Sequence, residues 1–204
     1  MPRVNDAATR LLASALAAVA LAGCGGLLES DAPAANRWWL EPVAPDVTAV
    51  AALAAAGHNR LVLDLTVVPG LDTDRILNLD GQARLNHYAG AYWPDHLPEV
   101  LSSVLARSLE ADGPLRVRVG ARARTGECLL QLETRAFYGR VDAGVTETAE
   151  IAFAGTLTCD DSVTALAARS EAPVTENRMT DIVAAFQQGL GRTVRDLSTQ
   201  FDRP

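Results

Sequence analysis

The stretches CLLQLETRAFYGR (residues 128–140) and TAEIAFAGTLTC (residues 148–159) decide the fold. Both alternate apolar with polar or small residues, the period-2 signature of a half-buried strand. Residues 141–147 separate them as a loop, so the pair reads as a long antiparallel hairpin. If Cys128 lies opposite Cys159, then Leu130 faces Leu157, Leu132 faces Gly155, Thr134 faces Phe153 and Ala136 faces Ile151. That register gathers the apolar residues on the same face as the two sulfurs. A slip of one residue sends one strand's apolar set to the other side. Core pattern and cysteine placement support each other, and a Cys128–Cys159 cross-strand disulfide is expected.

Toward the C-terminus, Asp160-Asp161-Ser162 turns the chain into a further strand over residues 164–171. A long helix is expected over residues 175–201. Its apolar positions, including Ile182, Phe186, Leu190, Val194 and Leu197, form one stripe suited to covering a sheet. Partner binding by that stripe is the alternative. Upstream, RLVLDLTVV (residues 60–68) is apolar nearly throughout, as a central strand is, and Pro69-Gly70 ends it. Residues 76–79 and 83–88 flank Asp80-Gly81, a hairpin signal. Pro98 opens a helix to Ala111, with Leu97, Leu101, Val104, Leu105 and Leu109 on one face. Residues 115–121 read as a half-exposed strand, and Trp38-Trp39-Leu40 as a short one. The Ala-rich residues 47–57 fit no single period. The fold class is α/β: a mixed, largely antiparallel sheet covered by two main helices, one of them the long C-terminal helix.

Nearly half the residues are apolar (49%), which fits a globular domain. The net charge is −7, and all 18 basic residues are Arg. An acidic balance argues against nucleic acid, which asks for a basic face.

The N-terminus carries a different signal. Arg3 and Arg10 precede an apolar run from Leu11 to Leu21, and Leu21-Ala22-Gly23-Cys24 closes it. A positive start, a short apolar middle and small residues before a cut describe a secretory signal. The run is too short for a membrane span, which needs about 20 apolar residues. The Cys after the small residues resembles the lipobox of bacterial lipoproteins. That resemblance implies diacylglycerol on the Cys24 sulfur, cleavage before Cys24 and an N-acyl chain on the new amino terminus. The alternative is an ordinary secretory peptide with a chance cysteine. Gly25, where Asp would mark inner-membrane retention, favours the outer membrane. The expected organisation is a signal peptide over residues 1–23, a lipidated Cys and tether over 24–36, and one domain over 37–204. The tether would span about 20 Å root-mean-square. Cys128 and Cys159 then remain for an oxidising compartment, where a pair readily forms a disulfide; two free buried thiols are the alternative.

No nucleophile elbow, phosphate loop, dinucleotide fingerprint or His-Glu-x-x-His motif occurs. The spacing of His87 and His96 near Asp95 fits no standard metal pattern, and Asp72, Asp74 and Asp80 lack calcium-loop spacing. Neither a catalytic nor a metal site is expected. Tyr88-x-x-x-Tyr92-Trp93 reads as a loop between hairpin and helix. Tyr88, Tyr92 and Trp93 are the candidate partner contacts; the alternative is that Trp93 plugs the core.

Several pieces, in order, resemble the ABC-type transport auxiliary lipoproteins, the lipoprotein partners in paraquat-inducible-type MCE systems. These are Cys24, Trp38-Trp39-Leu40-Glu41-Pro42, Val68-Pro69-Gly70, Asp74-Arg75-Ile76, and the segment from Leu85 through Tyr88 and Tyr92-Trp93-Pro94 to Pro98. The resemblance implies a non-enzymatic envelope protein, held by its Cys24 lipid at the inner leaflet of the outer membrane. Its implied partners are a periplasmic MCE-domain protein with its permease and ATPase, and self-association suits the role. Two other classes compete: a stand-alone periplasmic lipid carrier, which needs a large apolar cavity, and an envelope hydrolase, which needs Asp64, His87 and Asp95 to converge. Pro94 and the cysteine pair depart from the family's usual pattern.

Overall fold

The computed structural model describes residues 35–201 apart from residues 82, 83 and 112. Cys24, the signal segment and the tether through residue 34 lie outside the described residues.

The elements in chain order are β1 (Asn36–Arg37), α1 (Val47–Ala55), β2 (Arg60–Val67), β3 (Arg75–Asp80), β4 (Arg84–Tyr92), α2 (Leu97–Glu110), β5 (Arg116–Val119), β6 (Cys128–Asp142), β7 (Val145–Cys159), β8 (Ser162–Pro173) and α3 (Met179–Ser198). One mixed sheet holds all the strands, and β6 is its spine. On one edge β6 pairs antiparallel with β7, which carries β8. The other edge is shared. β2 runs parallel along it from Cys128 to Thr134, and β3 takes over from Gly139 to Val141. β2 then carries β5, while β3 carries β4 and β4 carries β1. The antiparallel ladders of β6, β7 and β8 are much the longest, so antiparallel pairing predominates.

The hairpin register holds as read from Cys128 to Thr134 and then shifts. Thr134 faces Phe153, but Ala136 faces Ala152, and Ile151 faces Phe137. Arg135 is the extra, exposed residue of a β-bulge. Were Arg135 paired in the ladder instead, strict alternation would turn Phe137 to the outer face. The bulge reverses that parity and buries Phe137 at 1% exposure. Burial of the large ring outweighs ladder continuity: a buried aromatic contributes about 1.5–3 kcal/mol.

The expected 141–147 loop shrinks to Ala143-Gly144, with φ of 48° and 81°. A two-residue hairpin with positive φ at both central positions matches the strand twist. Ala in the first position masks the usual Asn-Gly or Asp-Gly signal. Residues 47–55 form a helix started by Asp46, whose Oδ1 accepts from the Ala49 amide at 2.9 Å. This short α-helix adds to the two main helices expected over the sheet. The strand near the tryptophans is Asn36–Arg37; Trp38 adds one bond to the Tyr92 carbonyl at 2.7 Å before the chain leaves the sheet.

Helix α3 covers β6, β7 and β8, and α2 covers β2 and β5. Trp93, Phe137 and Phe186 meet in the core with centroids 5.0–5.8 Å apart, stacked or edge-to-face. Beyond α3, the Gln200 carboxamide reaches back to the outer edge of β8. It accepts from the Ala167 amide at 3.2 Å and donates to the Ala167 carbonyl at 3.0 Å. Arg192 donates to the Glu171 carbonyl on the same edge.

Candidate functional site

Cys128 and Cys159 form a disulfide at the open end of the β6–β7 hairpin. His58 lies beside them, 3.9 Å from Asp160. The oxidised sulfurs are not thiolates, so this trio lacks the donors of a thiolate metal site. Nearby, Glu127 takes both an Arg118 guanidinium N–H at 2.7 Å and the Arg124 amide at 2.8 Å. These bonds hold its carboxyl down at about 2.

The aromatic segment is mostly strand rather than loop, because β4 continues to Tyr92. Trp93 follows it directly and is 1% exposed, so it fills the core and offers no surface to a partner. Its carbonyl and that of Pro94 accept from Arg37. Tyr92 is half-buried beneath the Arg75 guanidinium, 5.8 Å from the ring centroid. Tyr88 is also half-buried; its hydroxyl and that of Thr146 are 2.9 Å apart. Burial pushes the Tyr88 phenol up from its ordinary value.

The residues of a conceivable hydrolytic centre do not converge. Asp64 accepts from Gln131 on the sheet face away from the helices. His87 pairs with Arg75, and Asp95 accepts the His96 backbone amide. His96 Nδ1 stands 2.9 Å from Asp72, whose carboxylate raises the imidazole pKa. The arginine proton on His87 blocks one ring nitrogen as a metal donor.

Two features escaped the sequence reading. Glu150, 3% exposed, is held between Arg140 and Arg169, each at 2.9 Å. Burial, then the Glu150 charge, raises the neighbouring Tyr138 phenol. Glu150 stands at an outward position of β7, where alternation predicts a solvated side chain; only the cross-strand partners reveal its burial. The second feature is an open polar cleft of about 360 Å³ between β3, β4, the β6–β7 turn and the start of α3. Tyr88 and Thr146 line it with Asn177, whose Oδ1 accepts from the Thr146 amide at 3.1 Å. The Asp80-Gly81 hairpin register, which pairs Asn78 with Asn86, was the available signal.

The domain is thus a sheet-and-helix scaffold with small polar surfaces and a filled core. Its sequence from residue 38 to residue 198 matches the model of the ABC-type transport auxiliary lipoprotein component family, and the chain belongs to that family. A crystal structure of a Xanthomonas campestris protein of the DUF330 family is similar, with a TM-score of 0.61 and 19% identity over 81% of this chain and 90% of that one. The crystal structure of an uncharacterized protein is also similar, with a TM-score of 0.61 and 14% identity over 78% of this chain and 93% of that one. At these identities the two structures share the fold. No curated protein matches the sequence. The family is a transport component, and membership in a lipoprotein family implies a membrane-anchored periplasmic protein. No described helix is long and apolar enough to cross a membrane.

Proposed function

We propose that this protein is the lipid-anchored adaptor of an MCE-type ABC transport system for lipids or organic solutes. Cys24 carries diacylglycerol and an N-acyl chain, residues 25–35 form the tether, and the domain, whose first strand begins at Asn36, works at the inner leaflet of the outer membrane. Two or more acyl chains hold a protein stably on a bilayer, so no membrane span is required. The periplasmic MCE-domain protein, with its permease and ATPase, is the partner, and the adaptor acts by binding rather than catalysis. The observation that carries this reading is the family match across residues 38–198. The core favours an adaptor over a carrier: Trp93, Phe137 and Phe186 fill it, the small pocket beside Trp39 holds only about 30 Å³, and the larger clefts of about 360–520 Å³ are open ones lined in part by charged or polar residues. A lipid site asks for several hundred.

Affinity capture of the tagged lipoprotein after mild crosslinking is expected to recover the MCE-domain protein. Recovery of the lipoprotein without that protein contradicts the role. Mass spectrometry of the N-terminal peptide, with and without Cys24→Ser, reads the anchor separately.

A further inference from the structure

Trp39 is the one exposed aromatic side chain among the described residues, at 56%. Its neighbour Trp38 is half-buried, and Trp93 fills the core. The Trp39 ring stands against helix α2, with the Arg107 guanidinium 5.8 Å from its centroid. Leu40, Pro94, Val100 and Val104 line a shallow apolar hollow with it. Arg37 donates to the Trp93 and Pro94 carbonyls at 3.1 and 3.2 Å, which ties the entering chain to the same corner. The corner is thus a fixed platform that holds an indole out toward its surroundings.

The course of the chain indicates what covers this ring. Residues 25–35 separate Cys24 from Asn36, and Trp39 follows three residues later. Three residues reach about 10 Å, so the ring stands close to the mouth of the tether. A face so near the anchoring point meets the bilayer at a high effective concentration. The hollow holds only about 30 Å³, room for a water or two, so a protein partner finds no pocket there for an anchoring side chain. A broad, soft surface suits the ring better. Indole has an apolar body and an N–H tip, the pair of properties that places Trp at membrane–water interfaces. The charges around it are mixed. Arg37 and Arg107 are exposed, and so are Glu41, Asp95 and Glu99, which adjoin Leu40, Pro94 and Val100 of the hollow. Polybasic attraction to anionic lipid is therefore missing at this corner, and burial of the ring supplies the driving force.

We propose that Trp39 is an interfacial anchor that rests in the headgroup region of the bilayer holding Cys24. The proposal rests on the lipid-anchor reading of Cys24 and deepens it. A tether alone leaves the domain free to turn. A second contact beside the tether fixes its orientation, with the Trp39 corner toward the lipid and the opposite face toward a partner.

The test reconstitutes the purified lipoprotein into phosphatidylcholine vesicles whose acyl chains are brominated near the headgroup, and reads tryptophan fluorescence. Emission from Trp39 should shift to the blue and be quenched by the bromines. Trp39→Ala should lose both signals, and the fraction of domains in contact with lipid should fall about tenfold. Its Tm should stay near that of the parent, since the ring is exposed. Adding phosphatidylglycerol should leave the quenching unchanged. A second arm holds the full Cys24→Ser chain on nickel-chelating vesicles through an N-terminal His tag, and mass spectrometry reads the lipid on Cys24 independently. Quenching in that arm supports the contact even where Cys24 proves unlipidated, a result that sinks the anchor reading alone. The proposal is overturned if the parent is quenched no more than Trp39→Ala in either arm, if quenching requires phosphatidylglycerol, or if Trp39 is equally shielded from acrylamide without vesicles, as a contact between copies would make it.

Discussion

The Tyr88 hydroxyl occupies the space above Gly139 in which a Cβ would stand. Only a glycine on β6 lets the ring from β4 cross to Thr146 on β7. Gly139→Ala should therefore displace Tyr88, break its bond to Thr146 and cost about 1–3 kcal/mol by overpacking. Urea denaturation measures the loss. In a Tyr88→Phe background, which lacks the phenolic oxygen, the same substitution should cost clearly less; equal costs in both backgrounds would show that Tyr88 is not the obstacle.

Phe137 owes its inward position to the bulge at Arg135. Phe137→Ala should remove about 3–5 kcal/mol, since it empties the centre of the Trp93–Phe186 cluster. Deleting Arg135 should cost clearly less, because it removes the bulge and leaves Thr134, Ala136 and Phe137 in plain alternation with Phe137 still inward opposite Ile151. A loss in the deletion variant equal to that of Phe137→Ala contradicts the assigned role of the bulge.

Reduction, or the paired change Cys128→Ala and Cys159→Ala, should lower stability by about 2–4 kcal/mol. The bond closes a sequence separation of 31, whose loop-closure entropy the unfolded chain regains. Thermal melts with and without reductant read the difference, and mass spectrometry of non-reduced peptides should find the two cysteines linked.

Two surface contacts should respond to pH in opposite senses. His96 binds its proton more tightly when folded, chiefly through the hydrogen bond to Asp72, so its pKa lies above the ordinary 6.5. The contact contributes fully below pH 6.5 and fades as pH rises through the raised value. NMR titration of the His96 ring should give a midpoint above 6.5, and Asp72→Asn should return it toward that value. Glu127 is depressed from 4.5 to about 2, first by the Arg118 bond and then by the Arg124 amide. Its contribution is present above pH 4.5 and lost as pH falls toward 2, where amide protection relative to the intrinsic exchange rate should drop in residues 120–127.

The sequence made the long hairpin, the central strand and both large helices legible because their apolar periods are strong and local. It also placed Cys128 against Cys159, since alternation and cysteine position agreed. The failures have particular causes. Arg135 looks like any outward residue, and only the need to bury Phe137 three-dimensionally makes it a bulge. Ala143 carries none of the usual preference for positive φ, so the two-residue turn resembled a longer loop. Trp93 follows an exposed strand, and its burial depends on Phe186, about ninety residues later in the chain. The cleft was hidden for a similar reason, since its walls come from three separate parts of the chain.

The pairing of Gln200 with Ala167 bears on how many copies coexist. β8 is the outermost strand of the longest ladders, and an outermost strand offers its unpaired backbone to any neighbour. Proteins tethered to one leaflet meet one another at raised effective concentration, which turns weak strand exchange into polymerisation. The Gln200 carboxamide stands in for the next strand at the middle of β8, and Arg192 does so near its end. Arg192 on the C-terminal helix and Gln200 just beyond it thus occupy backbone groups that β8 would otherwise offer to a second copy.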